Sequence, residues 1–224
     1  MPRIHTSDLE DDIPFFLESR LDKAQWNCVF DVGANVGWYT YQVLKAMKDA
    51  HVWCFEPIPS TFEVLQKNVE RFGGSPRVVL VPHALGSSRG TARMTATPGV
   101  TVNKITSTDS EDTVAIEVLK GDEYCADNSI DHINLLKIDA EGHDLHVLLG
   151  FLNMISAGKI DIIQVEAGFS PENLNHIPIE HYRGLLEAFG FVLLTIKNQA
   201  SNLLPRLTWA DVVFIRKAYA EAIA

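Results

Sequence analysis

Five acids and one histidine of this chain fall where side chains could do chemistry. Asp31 and Glu56 each end a short apolar run, Asp139 and Glu141 follow the run that starts at Ile133, Glu166 ends the run from Ile160, and His143 lies just beyond Glu141. A carboxylate at the end of a second strand can accept from both the 2′ and 3′ hydroxyls of a nucleoside. Carboxylates and an imidazole near a poorly nucleophilic hydroxyl can take its proton. His143 has the ordinary pKa best suited to a base near neutrality, and its plainer reading is a surface histidine at a helix start. A lone strand-end acid is usually structural. Recurrence at one edge raises the odds of a site, because open α/β sheets bind ligands beyond the carboxyl ends of their strands.

Hydrophobic spacing supplies the elements that would hold these groups. Cys28 to Phe30 suits a buried parallel strand, and Val36, Tyr39, Thr40, Val43, Leu44 and Met47 then repeat at three and four, so a strand turns directly into a helix. Gly33 and Gly37 permit a tight turn, and Asn35 reads as the N-cap. A dinucleotide fingerprint needs glycine where Asn35 stands, since a side chain there obstructs the pyrophosphate path, and the Asp31 carboxylate suits a cation instead. Glu56 ends the strand from His51 and lies 23 positions beyond Gly33, the separation of a βαβ unit. Ser60 and Glu63 form a capping box, and Phe62, Leu65, Val69 and Phe72 line a helix stopped by Gly73 and Gly74.

The run DVGANVG, followed by CFEPIP, HALGSS and LLKIDAEG, resembles the FkbM-type methyltransferases, class I enzymes that use S-adenosylmethionine and mostly methylate hydroxyl oxygens. The likeness covers roughly residues 26 to 170, with its motifs in the family's order. It implies a Rossmann-like α/β fold: a mainly parallel seven-stranded sheet with an antiparallel C-terminal hairpin. It also implies that Asp31, Gly33, Ala34, Asn35 and Gly37 surround the methionine part of the cofactor. Glu56, with Pro57 beside it, would hold the ribose, and His83, Ala84 and Leu85 would border the adenine. The chain departs from the usual family pattern at His83, where Asn is common, and at His143-Asp144, where Ala-Glu is common.

The rest of the chain reads as one domain spanning 1–224. An N-terminal helical segment (1–27) carries Ile13, Phe16, Leu17 and Leu21 at helical spacing between Asp8 and Trp26, a packing element or a lid. Val78 to Pro82 is a third strand. An insertion over 90–124 has β-type runs at Thr91 to Thr97 and Val114 to Leu119 around a polar connection, Thr101 to Thr113; it is a β-hairpin that either is merely solvated or covers the substrate. Ile133 to Asp139 is the fourth strand, and a helix carrying Leu145, Leu148, Leu149, Leu152 and Ile155 runs to Gly158. Ile160 to Glu166 is the fifth. A helix over Tyr182 to Phe189, capped by Gly190, precedes strands Phe191 to Ile196 and Asp211 to Arg216. Lys197 to Ala210 is too short and polar for a crossover helix, so these two strands pair antiparallel.

Bulk properties narrow the partners. The formal charge is −10, from 29 acids against 19 bases, with no basic cluster to follow a phosphate backbone, so nucleic acid is not expected. A neutral or cationic small molecule fits better. An apolar fraction of 46% with no long apolar run points to a soluble, cytoplasmic chain with no membrane partner. The three cysteines include Cys28 and Cys54 inside strands, at no metal-ligand spacing.

The expected activity is S-adenosylmethionine-dependent O-methylation of a sugar or secondary metabolite, with a small-molecule or sugar acceptor. Asp139 is the first candidate for the catalytic or acceptor-binding role, with Glu141 and His143 in the same loop and Glu166 orienting the acceptor or the histidine. A divalent cation on Asp139, Glu141 and Glu166 is conceivable but not required by the spacing. Lys137, alone among apolar neighbours, is expected in an ion pair. The rival readings are an NAD(P)-dependent oxidoreductase, disfavoured by Asn35 and the closing hairpin, and a non-catalytic cofactor-binding module.

Overall fold

The computed structural model describes residues 12–21, 24–96, 103–107, 110, 112–201 and 207–224. Helix α1 (Ile13–Arg20) precedes a βαβαβ unit of β1 (Cys28–Val32), α2 (Trp38–Ala46), β2 (His51–Phe55), α3 (Pro59–Arg71) and β3 (Val78–Val81). Four further strands follow: β4 (Ala84–Gly86), β5 (Gly90–Thr95), β6 (Ile105–Thr106) and β7 (Thr113–Lys120). Then come α4 (Gly121–Asp127), β8 (Ile133–Ile138), α5 (Asp144–Gly150), α6 (Leu152–Ser156) and β9 (Ile160–Gly168). The remaining elements are α7 (Ile179–Ala188), β10 (Phe191–Ser201), β11 (Leu207–Arg216) and α8 (Lys217–Ile223).

The main sheet has seven strands in the order β10-β11-β9-β8-β1-β2-β3. Strand β11 runs antiparallel to both of its neighbours, and the other pairs are parallel. Its central strands are buried on both faces because successive side chains serve opposite layers. Val29, Leu135, Ile162 and Val213 join one cluster with Leu17 of α1, Val43 of α2 and Leu65 of α3. Their neighbours Phe30, Leu136, Ile163 and Phe214 join another with Tyr124 of α4, Leu148 of α5 and Tyr182 of α7. Phe30 lies 5.1 Å from Phe55, 5.9 Å from Phe151 and 6.1 Å from Tyr124, ring centre to ring centre. Tilted aromatic pairs of this kind add roughly 0.5–1.5 kcal/mol each beyond area burial.

Several local expectations are corrected. Asn35 is not the N-cap of α2: it stands in the preceding turn at φ 48°, and left-handed Gly37 caps the helix. Ser60 and Glu63 form no capping box, because α3 already starts at Pro59, whose fixed φ suits the first helical position, with Ile58 as cap. The helix expected from Leu145 to Ile155 is broken at Phe151, whose ring packs where a side chain on Gly121 would otherwise lie. The 90–124 insertion is more than a hairpin: β5 and β7 pair antiparallel as expected, but β4 and β6 complete a four-stranded second sheet, and α4 starts before the insertion ends. Strands β10 and β11 reach well into the connection read as Lys197 to Ala210. Of the N-terminal segment, residues 1–11, 22 and 23 lie outside the described residues, as do Thr97, five positions of the 101–113 connection and 202–206. Cys28, Cys54 and Cys125 are buried free thiols. No helix among the described residues is long and apolar enough to cross a membrane.

Candidate active site

Two crevices lie at the carboxyl edge of the main sheet and share Gly33, Asn35 and Asp139. Counting space open to solvent, the first measures about 680 Å³ over β1 and β2, and the second about 830 Å³ over β8, β9 and β11. Gly33 makes the junction possible. Its φ is 74°, and a Cβ there would stand 1.9 Å from the Asp139 carbonyl oxygen. Only glycine lets the β1 and β8 turns approach so closely.

Glu56 is the buried polar group of the first crevice, at 5% exposure. Its Oε2 accepts from the Asn35 amide at 3.1 Å and its Oε1 from the Ile58 amide at 2.9 Å. Burial raises its pKa, while those two amides and Lys137 oppose the rise. Each oxygen retains a lone pair, and a vicinal diol would satisfy both. Ile58, Leu85, Met94 and Ile105 give the same crevice apolar walls. Met94 and Ile105 come from the second sheet and Asn103 from the connection that leads into β6, so the insertion lines this crevice.

At the junction Lys137 Nζ donates to Asp31 Oδ1 at 3.0 Å and to the Gly33 carbonyl at 3.1 Å, and stands 3.4 Å from Asp139 Oδ2. Burial alone would lower the Lys137 pKa, but Asp31 and Asp139 hold it above the usual value. Burial raises Asp139, Lys137 pulls it back, and Glu166 pushes it up again. The following loop is held by Asp144, which accepts from the Ala140 and Gly142 amides at 3.3 and 3.0 Å. Glu141 adopts φ 50° there, unusual for a residue with a side chain. Burial, then Asp139 and Glu166, push its carboxyl up to about 7. His143 stacks on His146 at 4.5 Å, and burial followed by that neighbour lowers it to about 4, so its ring is neutral at pH 7.

The second crevice gathers polar groups from strands that sit side by side. Glu166 Oε2 meets His176 Nε2 at 3.2 Å, and the His176 ring stacks on Trp209. The hydrogen bond to Glu166 raises the His176 pKa. Tyr39 donates to Gln164 Oε1 at 2.6 Å, and Asn198 donates to Asp211 Oδ2 at 2.6 Å. Burial pushes Asp211 up to about 6, with Asn198 opposing and Glu166 and Asp139 adding to the rise. Among the described residues no group of three or more His, Cys, Asp or Glu is placed to hold a metal ion.

The expected site residues thus divide. Gly33, Asn35, Glu56, Pro57, Ala84, Leu85, Asp139, Glu141 and His143 line the first crevice, and Ala34 and Glu166 the second. Three lie elsewhere. Asp31 is wholly buried behind the junction, where Thr40 donates to it at 2.7 Å. Gly37 faces Leu65 and Phe72. His83 sits beside Glu117 on the second sheet, at 3.1 Å. Sequence reading missed Tyr39, Gln164, His176, Asn198 and Asp211. One signal was present: Gln164, like Lys137, interrupts an apolar strand, and the two are direct partners in register.

Comparison with known proteins identifies the family and the fold. A family model described as the methyltransferase FkbM domain matches residues 31–201. The hexuronic acid methyltransferase AglP of Haloferax volcanii is 31% identical over 160 residues, 71% of this chain and 63% of that protein. This chain therefore spans less than two thirds of that relative. The crystal structure of methyltransferase FkbM from Methylobacillus flagellatus KT superposes with a TM-score of 0.59 at 16% identity, over 84% of this chain and 43% of that one. M. capricolum TrmK, in complex with S-adenosylhomocysteine, superposes with a TM-score of 0.52 at 12% identity, over 90% of this chain and 68% of that one. These likenesses place the fold among the class I methyltransferases.

Proposed function

The chain belongs to the FkbM methyltransferase family, and we propose that it transfers a methyl group from S-adenosylmethionine to a hydroxyl oxygen of a sugar or related secondary metabolite. The observation that carries this reading is the meeting of two differently built crevices at Gly33, Asn35 and Asp139. The name of the Haloferax relative supports a sugar as the acceptor.

The first crevice suits a nucleoside. Glu56, already anchored by two amides, would take the ribose diol, and Ile58, Leu85, Met94 and Ile105 would flank the base. Bound S-adenosylmethionine would supply an electrophilic methyl group on a good leaving group. The protein is left to position and to move one proton. Asp139 lies where the crevices join and would accept the proton of the incoming hydroxyl, while Lys137 holds the carboxylate in place. Glu166, tethered by His176, would orient a second hydroxyl. The acceptor is a small molecule, in keeping with a formal charge of −10.

The test is a calorimetric titration with S-adenosylhomocysteine, with NAD and NADP in parallel, followed by transfer of labelled methyl to a panel of sugars. Binding of S-adenosylhomocysteine alone, with label on a sugar oxygen, is expected. Binding of a nicotinamide nucleotide alone would overturn the reading.

A further inference from the structure

The second crevice has a lopsided charge. Asp12, Asp139, Glu166 and Asp211 line it, and among the described residues Lys137 is its one lysine or arginine. That lysine is committed: its ammonium is shared between the Asp31 carboxylate, the Gly33 carbonyl and Asp139. The imidazole of His176 is turned to Glu166. Of the neutral polar groups, Tyr39, Gln164 and Asn198 bond to one another or to Asp211, and Gln42 donates to Asp12. Burial and the mutual repulsion of Asp139, Glu166 and Asp211 already raise the first and last of these acids.

The rim differs from the floor. Trp38 lines the same crevice yet keeps 45% of its surface exposed, and its ring is steadied by stacking on Tyr41 at 5.5 Å. An exposed, braced indole beside a floor of acid and amide oxygens matches a sugar ring, whose C–H face is apolar and whose hydroxyls donate. A carboxylate on that ring would meet four acids and find no uncommitted lysine or arginine among the described residues.

We infer that the acceptor is a sugar ring without a carboxylate, seated against Trp38, and that the crevice discriminates against hexuronates. The inference rests on the reading of this crevice as the acceptor site of a sugar methyltransferase.

The test is direct binding to the protein loaded with S-adenosylhomocysteine, using matched pairs of methyl hexosides and methyl hexuronides in low salt. At least one hexoside should bind roughly tenfold more tightly than its hexuronide. Glu166→Gln combined with Asp211→Asn should shrink that ratio toward unity. Trp38→Ala should weaken the hexoside about fivefold or more, while affinity for S-adenosylhomocysteine, which also reports folding, stays within about twofold. A hexuronide that binds as tightly as its hexoside, or a hexoside indifferent to Trp38→Ala, overturns the inference and leaves the methyltransferase reading standing. If S-adenosylhomocysteine binds and no sugar does, the sugar-acceptor reading itself fails, and this inference with it.

Discussion

Lys137 on β8 and Asp31 on β1 are direct partners in register, and their side chains close a 3.0 Å ion pair with Asp31 wholly buried. Each removes the other's burial penalty, so neither can be lost alone. Lys137→Met should cost about 3–5 kcal/mol in urea unfolding, and so should Asp31→Leu. The double variant should cost clearly less than the two together. Strict additivity in that cycle would show that the pair does not act as a unit.

On the proposed function, Glu56 and Asp139 serve different steps. Glu56→Gln should weaken S-adenosylhomocysteine roughly tenfold in calorimetry, about 1.4 kcal/mol, because a diol loses one charged acceptor. Asp139→Asn should lower kcat about a hundredfold and change that affinity little. Equal losses of affinity in the two variants would remove the division of roles.

The Glu141 carboxyl titrates near 7 instead of its ordinary 4.5, through burial and then the charges of Asp139 and Glu166. A carboxyl raised on folding favours the folded state fully below 4.5, and that advantage is lost as the pH climbs through about 7. Glu141→Gln keeps the shape without the charge. Its melting temperature should exceed that of the parent by a few degrees, about 2–4 °C, at pH 8, and match it near pH 4. A gain of the same size at both pH values would assign the effect to packing.

Two glycines with similar backbones separate strain from collision. Gly33 and Gly73 sit at φ 74° and 70°, but a Cβ on Gly73 would meet nothing within 4 Å, whereas one on Gly33 would strike the Asp139 carbonyl. Gly73→Ala should cost about 1 kcal/mol in urea unfolding. Gly33→Ala should cost more, about 2–4 kcal/mol, and weaken S-adenosylhomocysteine as well. Similar penalties would mean that the β1 and β8 turns can part without harm.

The βαβ unit, the closing antiparallel strand and most of the acids at the carboxyl edge were legible, because period and strand-end position are local properties. What depends on packing between strands was not. Asp31 looked like the last residue of its strand, but the strand runs on to Val32, so alternation turns Asp31 into the layer of Thr40 and Cys54. Gly37 was read by its spacing in a ligand-binding turn, yet its left-handed backbone serves to start α2. Asp211 escaped notice since it lies within an edge-side strand, and only pairing with Glu166 across β9 and β11 brings it to the site. The row Asp31, Lys137, Gln164 on three adjacent strands becomes visible only once their register is known.

The position of β11 has a consequence for synthesis. It lies between β9 and β10 although it is made after both, so β10 has no edge to join until β11 is in place. Every residue lining the first crevice, by contrast, has been made once His143 is reached. As the chain leaves the ribosome, the nucleoside-shaped half of the site can assemble early, while the half that contains Glu166, Asn198 and Asp211 waits for the final hairpin to dock.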